Sequence, residues 1–202
     1  MSESRRPSLR ERTRHAVREQ IAEAALIMFD EQGFEETTVD QIAAAVDISP
    51  RSFFRYFAAK EDVVLGDPMI HGEPVRAALA EHVETMPLWD ALRASFDSIV
   101  RITEADPVGT LRATRVMIST PTLRARNTEK HLAWMLVLVP IVEDTLTGTE
   151  DDRGYRARAI TLAALNCLDV TSAEWVHRNG AVGNGALLDE AFALLKPAVL
   201  AD

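Results

Sequence analysis

The sequence predicts an all-α protein in two parts, a small three-helix domain over residues 1–60 and a larger helical domain over residues 61–202. Three observations carry that expectation. Apolar residues recur at helical spacing in nearly every segment between prolines and glycines, and no stretch alternates like a half-buried strand. Charge is also divided unevenly: residues 1–18 hold six arginines against Glu3 and Glu11, whereas residues 65–202 hold 13 cations against 19 acids. In a chain of formal net charge -9, a basic start on an acidic body implies one face for a polyanion. For residues 1–8 a solvated basic tail is the alternative.

The 47% hydrophobic content is that of a globular chain able to bury a sizeable core. The apolar run "MLVLVPIV" at 135–142 falls far short of the roughly 20 residues that span a bilayer, so no membrane partner is expected. The charged N-terminus lacks the apolar segment of a secretory signal, which makes a cytoplasmic location the expectation. Cys167, the single cysteine, sits in "LAALNCLDV" and reads as a small core residue.

From about Arg10 to Gln32, Val17, Ile21, Ala24 and Met28 give a helix one buried stripe, and Gly33 ends it. Thr38 and Gln41 form a capping-box pattern that opens a short second helix with Val39, Ile42, Ala43 and Val46 on its apolar side. Ser49 can cap a third helix that accepts Pro50 in its first turn. At 100° per residue, Phe53 and Phe57 share the edge that would pack on Ile42 and Val46, while Arg51 and Arg55 take the opposite edge. Ser52 and Tyr56 flank the arginines on one side and Phe54 on the other, with Lys60 at the end. The stretch "SPRSFFRYFAAK", 49–60, holds no acid although the chain has 31 Asp and Glu. Two short helices in a tight turn, the second presenting Arg, Ser and Tyr, form a helix-turn-helix suited to a DNA major groove about 12 Å wide. The alternative is a surface helix pair that its cations merely solvate.

Residues 33–64, "GFEETTVDQIAAAVDISPRSFFRYFAAKEDVV", resemble the DNA-binding domain of TetR-type transcriptional repressors. The resemblance rests on the Gly-Phe after the first helix, Thr-Thr-Val opening the second, Ile-Ala-Ala within it, and an aromatic-rich third helix ending in Phe-x-x-Lys-Glu. It implies that Arg51 and Ser52 meet base edges, Phe54 and Tyr56 the DNA backbone, and Lys60 and Thr38 phosphates. Arg55 lies on the same outward basic edge. Two positions depart from the family pattern: Asp47 stands where glycine is usual in the turn, and Phe54 where tyrosine is common, leaving Tyr56 as the nearest replacement hydroxyl. Arg5 and Arg6 are expected to reach an adjacent minor groove, as basic arms do.

Beyond Glu61 the chain reads as helices at about 61–70, 74–84, 88–105, 107–118, 121–146, 153–178 and 186–200. The segment 153–178 has an apolar face through Ile160, Ala163/Ala164, Cys167/Leu168 and Trp175/Val176, and the last helix through Leu187, Leu188, Ala191, Leu194 and Leu195. The family resemblance implies that these two helices pack against their twins in a dimeric four-helix bundle, suited to a palindromic double-stranded operator. Their alternative is to cover their own subunit. Polar residues in apolar stripes mark a candidate small-molecule pocket: Arg112 and Arg115, then His131, Trp134 and Leu138 on one face, then Asn166 and Asp169. Each also has an ordinary structural explanation.

Residues 115–134, "RVMISTPTLRARNTEKHLAW", with the later "AEWV", look similar to the TetR branch with an acyl-CoA-like ligand-binding C-terminal domain. That resemblance implies an apolar or acyl effector with its anionic head near Arg112, Arg115, Arg124 or Arg126. The expectation is a ligand-responsive repressor; a constitutive regulator without ligand and an activator remain open. No cofactor is expected. His15, His71, His82, His131 and His177 lack metal-ligand spacing, and no phosphate loop or Gly-x-Ser-x-Gly occurs, so the chain is not read as an enzyme.

Overall fold

The computed structural model describes residues 8–199, which are helical with no strand among them. Arg5 and Arg6 lie outside the described residues. The chain divides into two compact units, one ending at Val64 and the other beginning at Leu65.

In the first unit, α1 (Leu9–Gln32) stops at Gly33, whose φ of 98° suits glycine better than any other residue. The chain then turns back through Phe34, whose ring packs on Phe29 with centroids 4.9 Å apart. Both halves of the capping box at α2 (Val39–Ala45) are made: Thr38 Oγ1 accepts from Gln41 N at 3.2 Å, and Gln41 Oε1 accepts from Thr38 N at 2.8 Å. The turn after α2 puts Asp47 at φ 54°, so the residue standing in place of glycine does adopt the left-handed conformation. Ser49 caps α3 (Pro50–Phe53) by accepting from Ser52 N at 3.1 Å. Ile21, Ala25, Phe29, Phe34, Ile42, Ala43, Phe53 and Phe57 form the buried interior.

The third helix is shorter than its sequence suggests. After Phe53 the chain tightens, with Arg55 N donating to Ser52 O and Tyr56 N to Phe53 O, before Phe57 N returns to Phe53 O. The tightening still leaves Phe53 and Phe57 together, their centroids 5.5 Å apart. The carbonyls of Arg55 and Tyr56 accept from the guanidinium groups of Arg14 and Arg18 on α1 instead of from a further turn of helix. The expected helix from 61 to 70 is likewise only α4 (Asp62–Leu65), followed by Gly66 at φ 63°.

The second unit contains α5 (Pro68–His82), α6 (Leu88–Ser95), α7 (Asp97–Ala105), α8 (Pro107–Ser119), α9 (Pro121–Asp144), α10 (Glu150–His177) and α11 (Asn184–Val199). Two boundaries differ from those expected. The break anticipated at 71–73 does not occur, because Asp67 caps a helix that runs on through Gly72 and Pro74. Conversely, the single helix expected over 88–105 is interrupted at Phe96, a fully buried residue that turns the chain from α6 into α7 and meets Phe192. The core gathers around Trp89, whose Nε1 donates to Phe192 O at 2.9 Å while the two rings lie 4.7 Å apart. Cys167 is buried in this core, which pushes its thiol pKa up, as expected of a packing residue. No described helix is long and apolar enough to cross a membrane.

Candidate nucleic-acid interface and ligand site

Burial sorts the third helix into two faces. Phe53 and Phe57 are inside, Arg51, Phe54 and Arg55 are exposed, and Ser52 and Tyr56 are half-buried between them. Phe54 keeps 55% of its surface in water yet meets Phe53 edge-on at 5.5 Å, so it stands out as a rigid apolar knob. Ser52 Oγ lies 3.0 Å from Ser49 Oγ, which fixes its hydroxyl beside the exposed Arg51. Thr38 is exposed, with its hydroxyl donating to Gln41 Oε1 at 3.1 Å.

Several cations in this unit are tied to backbone carbonyls. Lys60 Nζ donates to Phe34 O at 2.6 Å and Thr37 O at 2.9 Å, and lies 4.1 Å from the Phe34 ring centroid. Its position ties the segment after α3 to the α1–α2 link. Arg18 does the same from α1: besides its bond to Tyr56 O, its guanidinium lies 4.1 Å from the Phe57 ring centroid. Arg14 reaches Arg55 O at 3.4 Å. Positive charge near the last carbonyls of a helix is favourable, and here it also ties the turn after α3 to α1. Sequence spacing does not reveal these roles, since they join residues 23 to 41 positions apart.

In the second unit, His131, Trp134 and Leu138 share the buried face of α9 as their spacing suggests, and Asp169 of α10 meets them: its Oδ2 is 3.3 Å from His131 Nδ1. Asn127 extends that face by one turn and donates from Nδ2 to Asp169 Oδ1 at 3.0 Å. Lys130 lies alongside, its Nζ 5.3 Å from the Trp134 centroid. Burial lowers the Lys130 pKa, an effect that the Asp169 charge partly opposes. His71 of α5 is held below its usual pKa by burial and then by the Lys130 charge. Gly72 completes the group, because a Cβ there would stand 2.7 Å from Trp134 Nε1. Asn127, Lys130, His71 and Gly72 are not among the ligand residues expected from the sequence; Asn127 had a signal, lying four residues before His131, whereas the relevance of the other three depends on how α5 crosses α9.

The other predicted ligand residues fall elsewhere. Asn166 lies on the outward face of α10, in a stripe with exposed Tyr155, Leu162 and Val170. Half-buried Arg115 donates to Asn179 Oδ1 at 2.9 Å beside the end of α10, and Arg112 is half-buried one turn earlier on α8. Arg124 donates to Ile118 O at 2.7 Å, closing the α8–α9 corner. The apolar positions singled out on α10 also face their own unit: Ala164, Cys167 and Trp175 are buried within it, and a different stripe is left outside.

Residues 21–66 match the family described as bacterial regulatory proteins, tetR family, and residues 86–200 match the MftR C-terminal domain. The chain is 32% identical over 181 residues to the HTH-type transcriptional regulator TcmR of Streptomyces glaucescens, covering 85% of this chain and 78% of that one. It is 30% identical over 141 residues to a mycofactocin biosynthesis transcriptional regulator, MftR, of Mycobacterium tuberculosis, covering 70% and 71%. Among solved structures, NalD, the secondary repressor of the MexAB-OprM efflux pump of Pseudomonas aeruginosa, shares the fold at a TM-score of 0.60 and 18% identity, covering 92% and 95%. FadR of Thermus thermophilus, solved with lauroyl-CoA, shares it at 0.51 and 24%, covering 92% and 96%. The chain therefore belongs to the TetR family of bacterial transcriptional regulators, and it is a regulator rather than an enzyme.

Proposed function

We propose that the protein is a homodimeric repressor that grips a palindromic operator through α3 and lets go when a small apolar or acyl ligand occupies the second unit. The observation that carries the DNA half is the division of α3. Two buried phenylalanines pin it, and Arg51, Ser52, Phe54, Arg55 and Tyr56 remain on an acid-free outer side. Arg51 and Ser52 are assigned to base edges, Tyr56 and Phe54 to the DNA backbone, and Thr38 to a phosphate at the start of α2. Lys60 acts through position, since its ammonium already serves Phe34 O and Thr37 O. Residues 1–60 form the DNA-binding domain and residues 61–202 the ligand-binding and dimerisation domain.

The dimer half rests on the outer stripe of α10, where Tyr155, Leu162 and Val170 are 68%, 47% and 62% exposed. Two such stripes meeting about a two-fold axis bury one another, and a palindromic operator asks of the dimer two α3 helices roughly 34 to 36 Å apart, one DNA turn. The ligand half rests on the polar cluster inside the apolar packing of α5, α9 and α10. A ligand releases the operator only if it binds one spacing of the two reading heads better than the other. A coupling of about 1 to 3 kcal/mol lowers operator affinity roughly 5 to 150-fold.

Selection of random duplexes by the purified protein tests this reading. A two-half-site consensus that loses occupancy on addition of an apolar carboxylate is the expected result. No sequence preference at moderate ionic strength overturns the DNA half, and a site held equally with and without ligand overturns the release.

A further inference from the structure

The cluster on α9 leaves one charge unanswered. Asp169 is the carboxylate that acts on Lys130, yet both its oxygens are already engaged, Oδ1 by Asn127 Nδ2 at 3.0 Å and Oδ2 by His131 Nδ1 at 3.3 Å. Lys130 is half-buried, and its ammonium has the Trp134 ring 5.3 Å away. Among the described residues it makes no hydrogen bond or ion pair, its one close contact being the Trp134 ring. The other titratable group it acts on is not an acid but His71, whose pKa is lowered by burial and then by the Lys130 charge. A half-buried cation without an acceptor is costly, and an anion brought by a ligand relieves that cost.

A second atom in the same place is also incomplete. Asn127 is only 9% exposed, and its Oδ1 is buried with no hydrogen-bond donor. Exchanging the amide oxygen and nitrogen does not cure this, because it would set the oxygen against Asp169 Oδ1. Asn127 and Lys130 are three residues apart on one helix and therefore neighbours on its surface. Trp134 extends the same face, and Leu138, 1% exposed, lines it beyond. The Asp169 side chain is 42% exposed, so the cluster opens to solvent at α10.

We infer that the effector is an amphipathic carboxylate whose anion docks on Lys130 and whose apolar body lies along Trp134 and Leu138, with a hydroxyl or ordered water donating to Asn127 Oδ1. Lys130, rather than an arginine of α8 or α9, is the anion anchor. The inference rests on the proposed ligand site in the second unit and adds the chemistry that the site selects.

Calorimetric titration with decanoate below its micelle concentration, 3-hydroxydecanoate and decanol tests it on the full-length protein and on Lys130→Met and Lys130→Gln. Thermal unfolding shows whether each variant is folded, and Lys130→Arg serves as the charge-conserving control. Wild-type protein is expected to bind both carboxylates more tightly than decanol. Removing the ammonium is expected to weaken the carboxylates roughly 10 to 100-fold, the worth of a charge-assisted hydrogen bond, and to leave decanol unchanged. Lys130→Arg is expected to retain most of the preference. Asn127→Leu is expected to abolish the advantage of 3-hydroxydecanoate over decanoate. Equal affinity for decanoate and decanol, carboxylate affinity unchanged in folded Lys130→Met and Lys130→Gln, or no carboxylate binding at all overturns the inference. Operator binding measured on the same samples separates the two ideas: a specific, decanol-releasable operator complex without carboxylate preference leaves the ligand-responsive regulator standing and removes only the anion anchor.

Discussion

Two cations of the first unit show how much a side chain's role depends on what it already touches. Arg51 is exposed at the start of α3, with its guanidinium available to a base edge. Replacing it with Ala should relax preference at one base pair of each half-site by about 1 to 3 kcal/mol, read from competition among single-base operator variants. Lys60 ends the same segment but faces the opposite way, donating to two carbonyls over an aromatic ring. A lysine on a phosphate would lower the salt dependence of operator binding by about 1 when removed. Lys60→Ala should instead leave that slope unchanged and reduce stability by about 1 to 3 kcal/mol in urea unfolding, because Phe34 O and Thr37 O lose their donor. A slope reduced by one with unchanged stability would reassign Lys60 to the phosphate.

At the scale of an element, α10 has three sides. One carries Ala164, Cys167 and Trp175 into the core, one presents Asp169 to α9, and one leaves Tyr155, Leu162, Asn166 and Val170 outside. The outer residues repeat at spacings of seven, four and four, a seam that suits a second helix rather than water. Leu162→Glu is expected to give a folded monomer by sedimentation and to abolish palindrome binding while near-normal thermal unfolding persists. Asn166 interrupts that seam, as a lone polar residue does where it fixes register at some cost in stability. Asn166→Leu should therefore tighten the dimer while broadening the spacing of half-sites that it accepts. The approach of α5 to α9 is set by a single missing side chain. Gly72→Ala places a methyl 2.7 Å from Trp134 Nε1 and should cost about 1 to 3 kcal/mol by overpacking, visible in the thermal midpoint.

Across the whole molecule, what the sequence made legible is what local rules govern. The cap at Thr38, the turn at Asp47, the cap and proline that start α3 and the burial of Phe53 and Phe57 depend on residues at most a few positions apart. The carbonyl contacts of Arg14, Arg18 and Lys60 and the joining of His71, Lys130 and Asp169 require segments distant in sequence to meet, and periodicity carries no information about such meetings. That buried group gives the protein a distinctive dependence on pH. His71 on α5 and Lys130 on α9 both have lowered pKa values, with His131 of α9 and Asp169 of α10 as the other titratable groups of the cluster. A base whose folded pKa is lowered binds its proton less well folded than unfolded, so stability rises with pH between the folded and unfolded values. For His71 the stability is present above its unfolded value near 6.5 and is lost as pH falls through the folded one. For Lys130 the same sign gives a gain as pH rises from its folded pKa toward 10.5. Urea unfolding of the ligand-free protein should show both slopes. Lys130→Met should remove the alkaline gain, and it should weaken the acid loss because His71 then titrates without a cation beside it. An alkaline slope that survives Lys130→Met would place the responsible group outside this cluster.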